Sequence, residues 1–507
     1  MSMRLLGALL GTLTSAFAYG LTFPPTRLRL LAWVALVPFF VAIRSVGLRE
    51  ALFLTWIWTV AAAYAVGDWF PRAVATFFQQ PALVGIGFFF AVSSLMAAPY
   101  YMVFTACYRK LSRSASATVP LLAAMAWVAV ELGRVKLLTG NPWALFGYSQ
   151  VGVIRLMQIA DITGVYGISF ILVSVNAAVA ESWLAIRTGE FWDAGMITTG
   201  CLAIVPTVFA MTYGLVRPGF VTSSNPDASL SQIAIIQGNL NIGTQWQPDF
   251  YGKNLDVYLA LTLDQLRRAK ADVAVWPEDA MTFFLNDESG YQKAIGRVIA
   301  LSDTELIAGG PRRSESGGEI YYNSAFLLSP DGSIVGHYDK EHLLPFAEYF
   351  PLGVDLLRRR FGGVREFHPG APTPPLSTAA GRAGIVICNE AMFPELAARR
   401  VRAGASYLVN LANDFWPGEQ KFAEQQFDIA TLRAVEQRRY LVRASTSGPS
   451  AVVDPIGRVL VGTESFSRAA IVGSLFPLTL ITFYCRVGDL FAFVCMGIAI
   501  VVLVMRT

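Results

Sequence analysis

From residue 73 to residue 108 the sequence contains no charged side chain. A bilayer core takes about 20 mostly apolar residues per helix, and this run is longer than that. Comparable runs cover residues 5–23, 30–43, 51–67, 115–130, 162–180, 194–216 and 490–505. They predict seven transmembrane helices before residue 218 and one at the C-terminus, about eight in total. Composition agrees: 54% of residues are hydrophobic, 15% are charged and the mean hydropathy is +0.48. Ordinary soluble domains carry nearer a quarter of charged residues.

Two stretches invite misreading. Arg4, an apolar run and then Ala16, Phe17 and Ala18 imitate a secretory signal with a small-residue cleavage site. Further spans follow, so the reading adopted is an uncleaved first helix. Residues 469–485 are uncharged and imitate another span, but Pro477 and many β-branched residues favour a strand and a surface loop. The basic cluster of Arg109, Lys110 and Arg113 favours a cytoplasmic N-terminus by the positive-inside rule. Seven spans then carry the following segment to the far side. The net charge of +4 gives no argument for nucleic acid, and five widely spaced cysteines indicate neither a disulfide framework nor a zinc site.

The pattern changes between residues 229 and 466. Short apolar runs end in polar residues: "QIAIIQGN", "ADVAVWPE", "ELIAGGP", "NSAFLLSPDG", "AGIVICNE", "ASYLVNLANDF" and "PSAVVDPIGR". Helical stretches lie between several of them, as at 252–270 and 420–438. Near-continuous apolar strands alternating with helices predict a sheet covered by helices. The "SPDG" and "DPIG" steps are turn signals, each expected to close a hairpin. The expected organisation is a membrane bundle over 1–218, an α/β domain over 229–466, and a return segment with the last helix over 467–507.

Three strand ends carry chemistry. "VAVWPE" ends in Glu278, "YDKEHLLPFAEYFP" supplies Lys340 and Glu348, and "GIVICNE" supplies Cys388. Functional groups in α/β sheets collect where strands end. A carboxylate can take the thiol proton, and an ammonium favours the thiolate and later an oxyanion. A helix N-terminus after the cysteine adds to both effects. A lone cysteine is more often a small buried hydrophobe; the ordered set of three is what points to chemistry. His342 leaves a cysteine–histidine alternative open, while Asp414 reads as structural.

Glu278, Lys340 and Cys388 in this order, with "WPE" and "IC-x-E", resemble the nitrilase superfamily. That resemblance implies an α-β-β-α sandwich. A nitrilase-like domain inserted between transmembrane helices, with "GNPWALFGYSQ" at 140–150, resembles the apolipoprotein N-acyltransferase family, which sits in the bacterial inner membrane. The resemblance implies Glu278 as general base, Lys340 as oxyanion partner and Cys388 as nucleophile. It places Glu348, Glu390, Asn389, Trp246 and Asn323 beside them in support. It further implies a membrane phospholipid as acyl donor, a diacylglyceryl-modified apolipoprotein as acceptor, a thioester intermediate, no cofactor or metal, a monomer, and a catalytic domain on the periplasmic side. The sequence departs from the family pattern at Asn389, where tyrosine is common, and in "NDFWPG"; both bear on acceptor preference. Two other readings remain: a membrane-tethered amidase acting on small compounds, and an inactive scaffold. The loop 343–363, with Phe346 and Phe350, has the character of a membrane-facing lid or of ordinary packing, and "MTFFL" at 281–285 that of an acyl-chain entrance or of core.

Overall fold

The computed structural model describes residues 2–113, 117–138, 140–188, 194–222, 229–240, 248–314, 320–349, 366–415 and 418–505. The chain forms two compact units, Met1–Pro218 with Val487–Thr507, and Gly219–Arg486.

In the first unit, five helices among the described residues are long and apolar enough to cross a membrane: Met3–Leu21, Leu48–Gly67, Ala82–Leu111, Val165–Arg187 and Ile197–Val221. The sequence expectation is seven spans before residue 218. Residues 30–43 are not one span. Arg29–Trp33 is a 3-10 turn, and Val37–Ser45 is a helix of 9 residues with a proline in its first turn. Such a helix rises about 14 Å, roughly half of a hydrocarbon core. Residues 115–130 fall largely within the helix Val119–Lys136, whose end carries Glu131, Arg134 and Lys136. The C-terminal helix Leu490–Met505 is apolar but has only 16 residues. Lys136 Nζ meets Asp489 Oδ2, just ahead of it, at 2.9 Å.

Buried charge inside an apolar bundle needs partners. Glu131 Oε1 accepts the Trp127 indole N–H at 3.0 Å and the Phe146 backbone N–H at 2.8 Å. Arg134 donates to the Tyr101 hydroxyl at 2.9 Å and the Trp143 carbonyl at 2.6 Å. The two side chains thus hold the "NPWALFGYSQ" segment against the helix Val119–Lys136. Trp58 stacks on Phe39 at 4.7 Å and meets Tyr101 edge-on at 5.3 Å in the same core.

The second unit is built on twelve strands among the described residues: β1 Ser231–Gln237, β2 Val273–Val275, β3 Glu305–Arg313, β4 Tyr321–Leu328, β5 Ile334–Asp339, β6 Leu376–Thr378, β7 Gly381–Ile387, β8 Tyr407–Ala412, β9 Leu441–Ser445, β10 Ala451–Val453, β11 Val459–Gly462 and β12 Ala469–Leu475. They form two six-stranded sheets, ordered β12-β1-β2-β3-β4-β5 and β11-β10-β9-β8-β7-β6. The central pairs β1–β2, β2–β3, β7–β8 and β8–β9 are parallel. Residues 469–475, read from the sequence as a strand, pair antiparallel with β1.

Strand alternation explains the layering. Ile233, Ile235, Val273, Val275 and Ile307 point inward and pack against Ile385, Ile387, Val409, Leu411 and Val442 of the other sheet. Ala234, Ile236, Ala274, Leu306 and Phe326 point outward and pack on the helices Pro248–Arg268 and Ser289–Ala300. On the far face Val386, Leu408, Leu441 and Val453 meet Pro394–Arg402 and Gln420–Gln437. The central strands, such as β2, β8 and β9, are buried on both faces and so read as continuous apolar runs. The result is the expected α-β-β-α sandwich. Both turn signals close hairpins, β4–β5 and β10–β11. Gly332 in the first has φ +83°, and a Cβ there would lie 2.7 Å from the Gly296 Cα.

Candidate active site

Cys388 follows β7 directly and begins a 3-10 turn, Cys388–Met392, which leads into the helix Pro394–Arg402. Its φ is +50°, a left-handed conformation unusual for any residue other than glycine. Such strain persists only where surrounding contacts fix it, and here Glu390 fixes it. Glu390 Oε2 accepts the Ile387 N–H at 2.7 Å. Its Oε1 accepts the backbone N–H groups of Glu341 at 2.7 Å and His342 at 3.0 Å. The Tyr338 hydroxyl donates to the same carboxylate at 2.8 Å. One buried side chain therefore ties the cysteine turn to the segment that follows β5. Burial raises the Glu390 carboxyl above its ordinary range, against the pull of those N–H donors.

Lys340, one residue past β5, lies in that tied segment. Its backbone N–H donates to the Asn323 carbonyl at 2.8 Å. Its Nζ is 2.8 Å from Glu348 Oε2 and 3.5 Å from Glu278 Oε1. The Asn323 carboxamide, from β4, bridges the two acids, donating to Glu278 Oε1 and to Glu348 Oε1 at 2.8 Å each. Glu348 is held in turn by the Leu344 N–H at 2.7 Å. Glu278 Oε2 is buried and has no hydrogen-bond partner. The thiol of Cys388 lies within electrostatic reach of that carboxylate.

All of these groups are buried: Glu278 is 4% exposed, Lys340 1% and Cys388 5%. Burial raises the Cys388 thiol well above its ordinary value, and the Glu278 charge adds to this while Lys340 opposes it. Burial also raises Glu278; Lys340 opposes this and Glu348 adds to it. Burial works to lower the Lys340 ammonium, but Glu348 and Glu278 outweigh it and the net direction is up. Burial thus favours the neutral thiol, the ion pairs hold the ammonium, and the Glu278 carboxyl has a raised proton affinity.

The structure brings together Glu278, Lys340, Cys388, Glu348, Glu390 and Asn323. Asn389 is buried next to the cysteine, but its side chain donates to the His342 carbonyl at 3.3 Å. Trp246 lies outside the described residues, as do Phe350 and 351–363 of the loop read as a lid. The His342 ring packs on Phe393 with centroids 3.9 Å apart and is occupied there. Met281, Phe283 and Leu285 are core, whereas the Phe284 ring meets Tyr321 at a tilt, with centroids 5.6 Å apart. Asp414 forms a fully buried pair with Arg443 at 2.7 Å, in keeping with a structural role.

Two residues at the site escaped the sequence reading. Asp279 follows Glu278 and accepts from the Asn413 carboxamide at 3.1 Å; burial, then the Glu278 charge, raises it to about 7. Gln426, on the helix Gln420–Gln437, donates to Cys388 Sγ at 3.6 Å. Position 279 carried a signal, a second acid beside the strand-end acid. Position 426 carried none, because polar residues on a helix usually mark its solvent face.

The chain is similar to known proteins over nearly its whole length. Residues 15–178 match the apolipoprotein N-acyltransferase N-terminal domain and residues 232–475 match carbon-nitrogen hydrolase. An apolipoprotein N-acyltransferase of Geobacter metallireducens is 34% identical over 96% of this chain and 93% of its own length. The chain belongs to the apolipoprotein N-acyltransferase family. A relative of the same description from Pseudomonas syringae is 30% identical over 94% of this chain and 92% of its own. Among solved structures, an amidase of the nitrilase superfamily from Nesterenkonia has a TM-score of 0.39 at 19% identity, covering 52% of this chain and 95% of that one. A carbon-nitrogen hydrolase from Helicobacter pylori has a TM-score of 0.38 at 19% identity, covering 48% and 88%. Family membership and the five long apolar helices make this a membrane protein.

Proposed function

We propose that this chain transfers an acyl group from a membrane phospholipid to the α-amine of the S-diacylglyceryl-cysteine that begins an apolipoprotein. The observation that carries the reading is the buried cluster in which Cys388, at a strained turn, lies within electrostatic reach of the Glu278 carboxyl and of Lys340. Glu278 Oε2 accepts the Cys388 proton as sulfur attacks the donor ester. Lys340 Nζ and backbone N–H groups at the cysteine turn stabilise the oxyanion. Collapse expels the lysophospholipid alkoxide, which takes the proton from Glu278, and leaves a thioester on Cys388. The acceptor amine then attacks the thioester, Glu278 takes its proton, and the departing Cys388 thiolate recovers it.

Glu348, Glu390 and Asn323 act as positioning residues in this scheme, with Asn389 and Trp246 proposed to border the substrates. Both substrates reside in a bilayer, which gives a reason for five long apolar helices in the same chain. The proposed placement is the bacterial inner membrane, with the first unit as bundle and the α/β unit on the periplasmic side, acting as a monomer. The basic cluster Arg109, Lys110 and Arg113 supports that orientation. Mass spectrometry of the purified protein mixed with phospholipid tests the mechanism. An acyl adduct on Cys388 that disappears on adding a diacylglyceryl peptide is expected. A reaction without an adduct, or an adduct that only water removes, would overturn it.

A further inference from the structure

The Gln426 carboxamide has its two ends fixed by different partners. Its Oε1 accepts from Arg443 Nη2 at 2.8 Å, and its Nε2 donates to Cys388 Sγ at 3.6 Å. Arg443 is fully buried and cannot swing away. Its Nη2 also donates to Asp414 Oδ2 at 2.7 Å, its Nη1 to Asn410 Oδ1, and its Nε to the Pro449 carbonyl at 3.3 Å. Asp414 is itself held by the Ser445 hydroxyl at 2.6 Å. A guanidinium carries donors only. Only the carbonyl end of Gln426 can face it, so the NH₂ end has to point at the sulfur.

Resting on the reading of Cys388 as nucleophile, we propose that Gln426 is a further catalytic residue, a thiolate-stabilising donor, and that Arg443 is the positioning residue that sets its orientation. The thiol proton faces Glu278, and a sulfur lone pair accepts from Gln426. As the proton leaves, negative charge grows on sulfur, and a hydrogen bond to an ionised acceptor is stronger than one to a neutral acceptor. The contact strengthens along the reaction, which is the condition for lowering a barrier rather than only binding a ground state. The same contact serves when the thiolate departs from the acyl intermediate. No proton moves to or from Gln426. The donor sits opposite Lys340 in role: the ammonium attends the oxyanion and the amide attends the sulfur.

The test uses the full chain in detergent. Gln426→Glu keeps an acceptor for Arg443 but removes the donor to sulfur, and Gln426→Leu removes both. Iodoacetamide modification of Cys388 is followed against pH, with the site located by peptide mass spectrometry because four other cysteines are free. In Gln426→Glu the midpoint is expected to move up by about one pH unit or more, and turnover to fall roughly tenfold or more with little change in KM. Thermal unfolding should stay near that of the parent, and Gln426→Leu should shift the midpoint in the same direction. A parental midpoint and turnover in a folded Gln426→Glu variant would overturn the proposal. Cys388→Ser, run in parallel, separates the two readings. If it still transfers acyl groups, the nucleophile assignment fails; if it is dead while the Gln426 variants behave as parent, only the role of Gln426 fails.

Discussion

Lys340 Nζ sits 0.7 Å closer to Glu348 Oε2 than to Glu278 Oε1, at 2.8 Å against 3.5 Å. The ammonium is therefore held mainly by a carboxylate other than the one that faces the thiol. Glu348 neutralises Lys340, and Glu278 keeps one oxygen unengaged. A single acid would have to do both jobs, and an acid locked in a tight ion pair is a weak base.

Replacing Cys388 by serine should leave the fold intact and stop turnover. Loss of a nucleophile commonly costs roughly a millionfold in kcat. Activity of the Ser or Ala variant within about tenfold of the parent would be incompatible with the covalent route.

Glu390 accepts from Ile387, Glu341, His342 and Tyr338 at once. Glu390→Gln turns one acceptor oxygen into a donor and sets it against a backbone N–H. Each buried group left unpaired costs about 1–3 kcal/mol. Thermal unfolding should shift down accordingly, and turnover should fall with the loosening of the cysteine turn. Unchanged unfolding would mean that the turn does not depend on this clasp.

The pH dependence has a definite sign. Asp279 is raised from 3.8 to about 7 in the folded protein. Between those values the folded state holds a proton that the unfolded state has lost, so stability falls as pH rises through the window. Asp279→Asn removes the titration and should flatten that decline, giving a higher unfolding temperature than the parent at pH 8. Glu278 is also raised. The acid limb of activity should therefore lie above the ordinary glutamate value of about 4.3. A limb at or below that value in a kcat/KM profile would remove Glu278 as the base.

In the membrane unit, Glu131→Ala should orphan two donors, the Trp127 indole and the Phe146 backbone N–H. The expected cost is about 2–6 kcal/mol, from the same allowance for each unpaired group, read as unfolding in detergent. Glu131→Gln keeps one acceptor oxygen and should recover much of the loss. Equal stability of Ala and Gln variants would show that these hydrogen bonds contribute nothing.

Topology can be checked directly. A reporter joined after residue 217 should be active only when exported, and the mature chain should retain its first helix rather than begin after Ala18. Cytoplasmic activity of that reporter would reverse the proposed orientation.

The sequence alone determined the membrane character, the nitrilase-like sandwich and the order of Glu278, Lys340 and Cys388, because each rests on local facts. Apolar run length reports a membrane helix, and strands buried on both faces announce themselves as continuous apolar runs. Local chain breaks are less legible: residues 30–43 read as one apolar run, but a 3-10 turn and a proline-led helix of 9 residues divide them. Tertiary structure alone decided how the two acids divide their work, since that depends on distances between β2, β4 and the segment after β5. It also decided that Glu390 clasps the cysteine turn and that Gln426 faces the sulfur. A carboxylate or carboxamide has the same local signature whether it meets water or a buried donor, and only packing selects its partner.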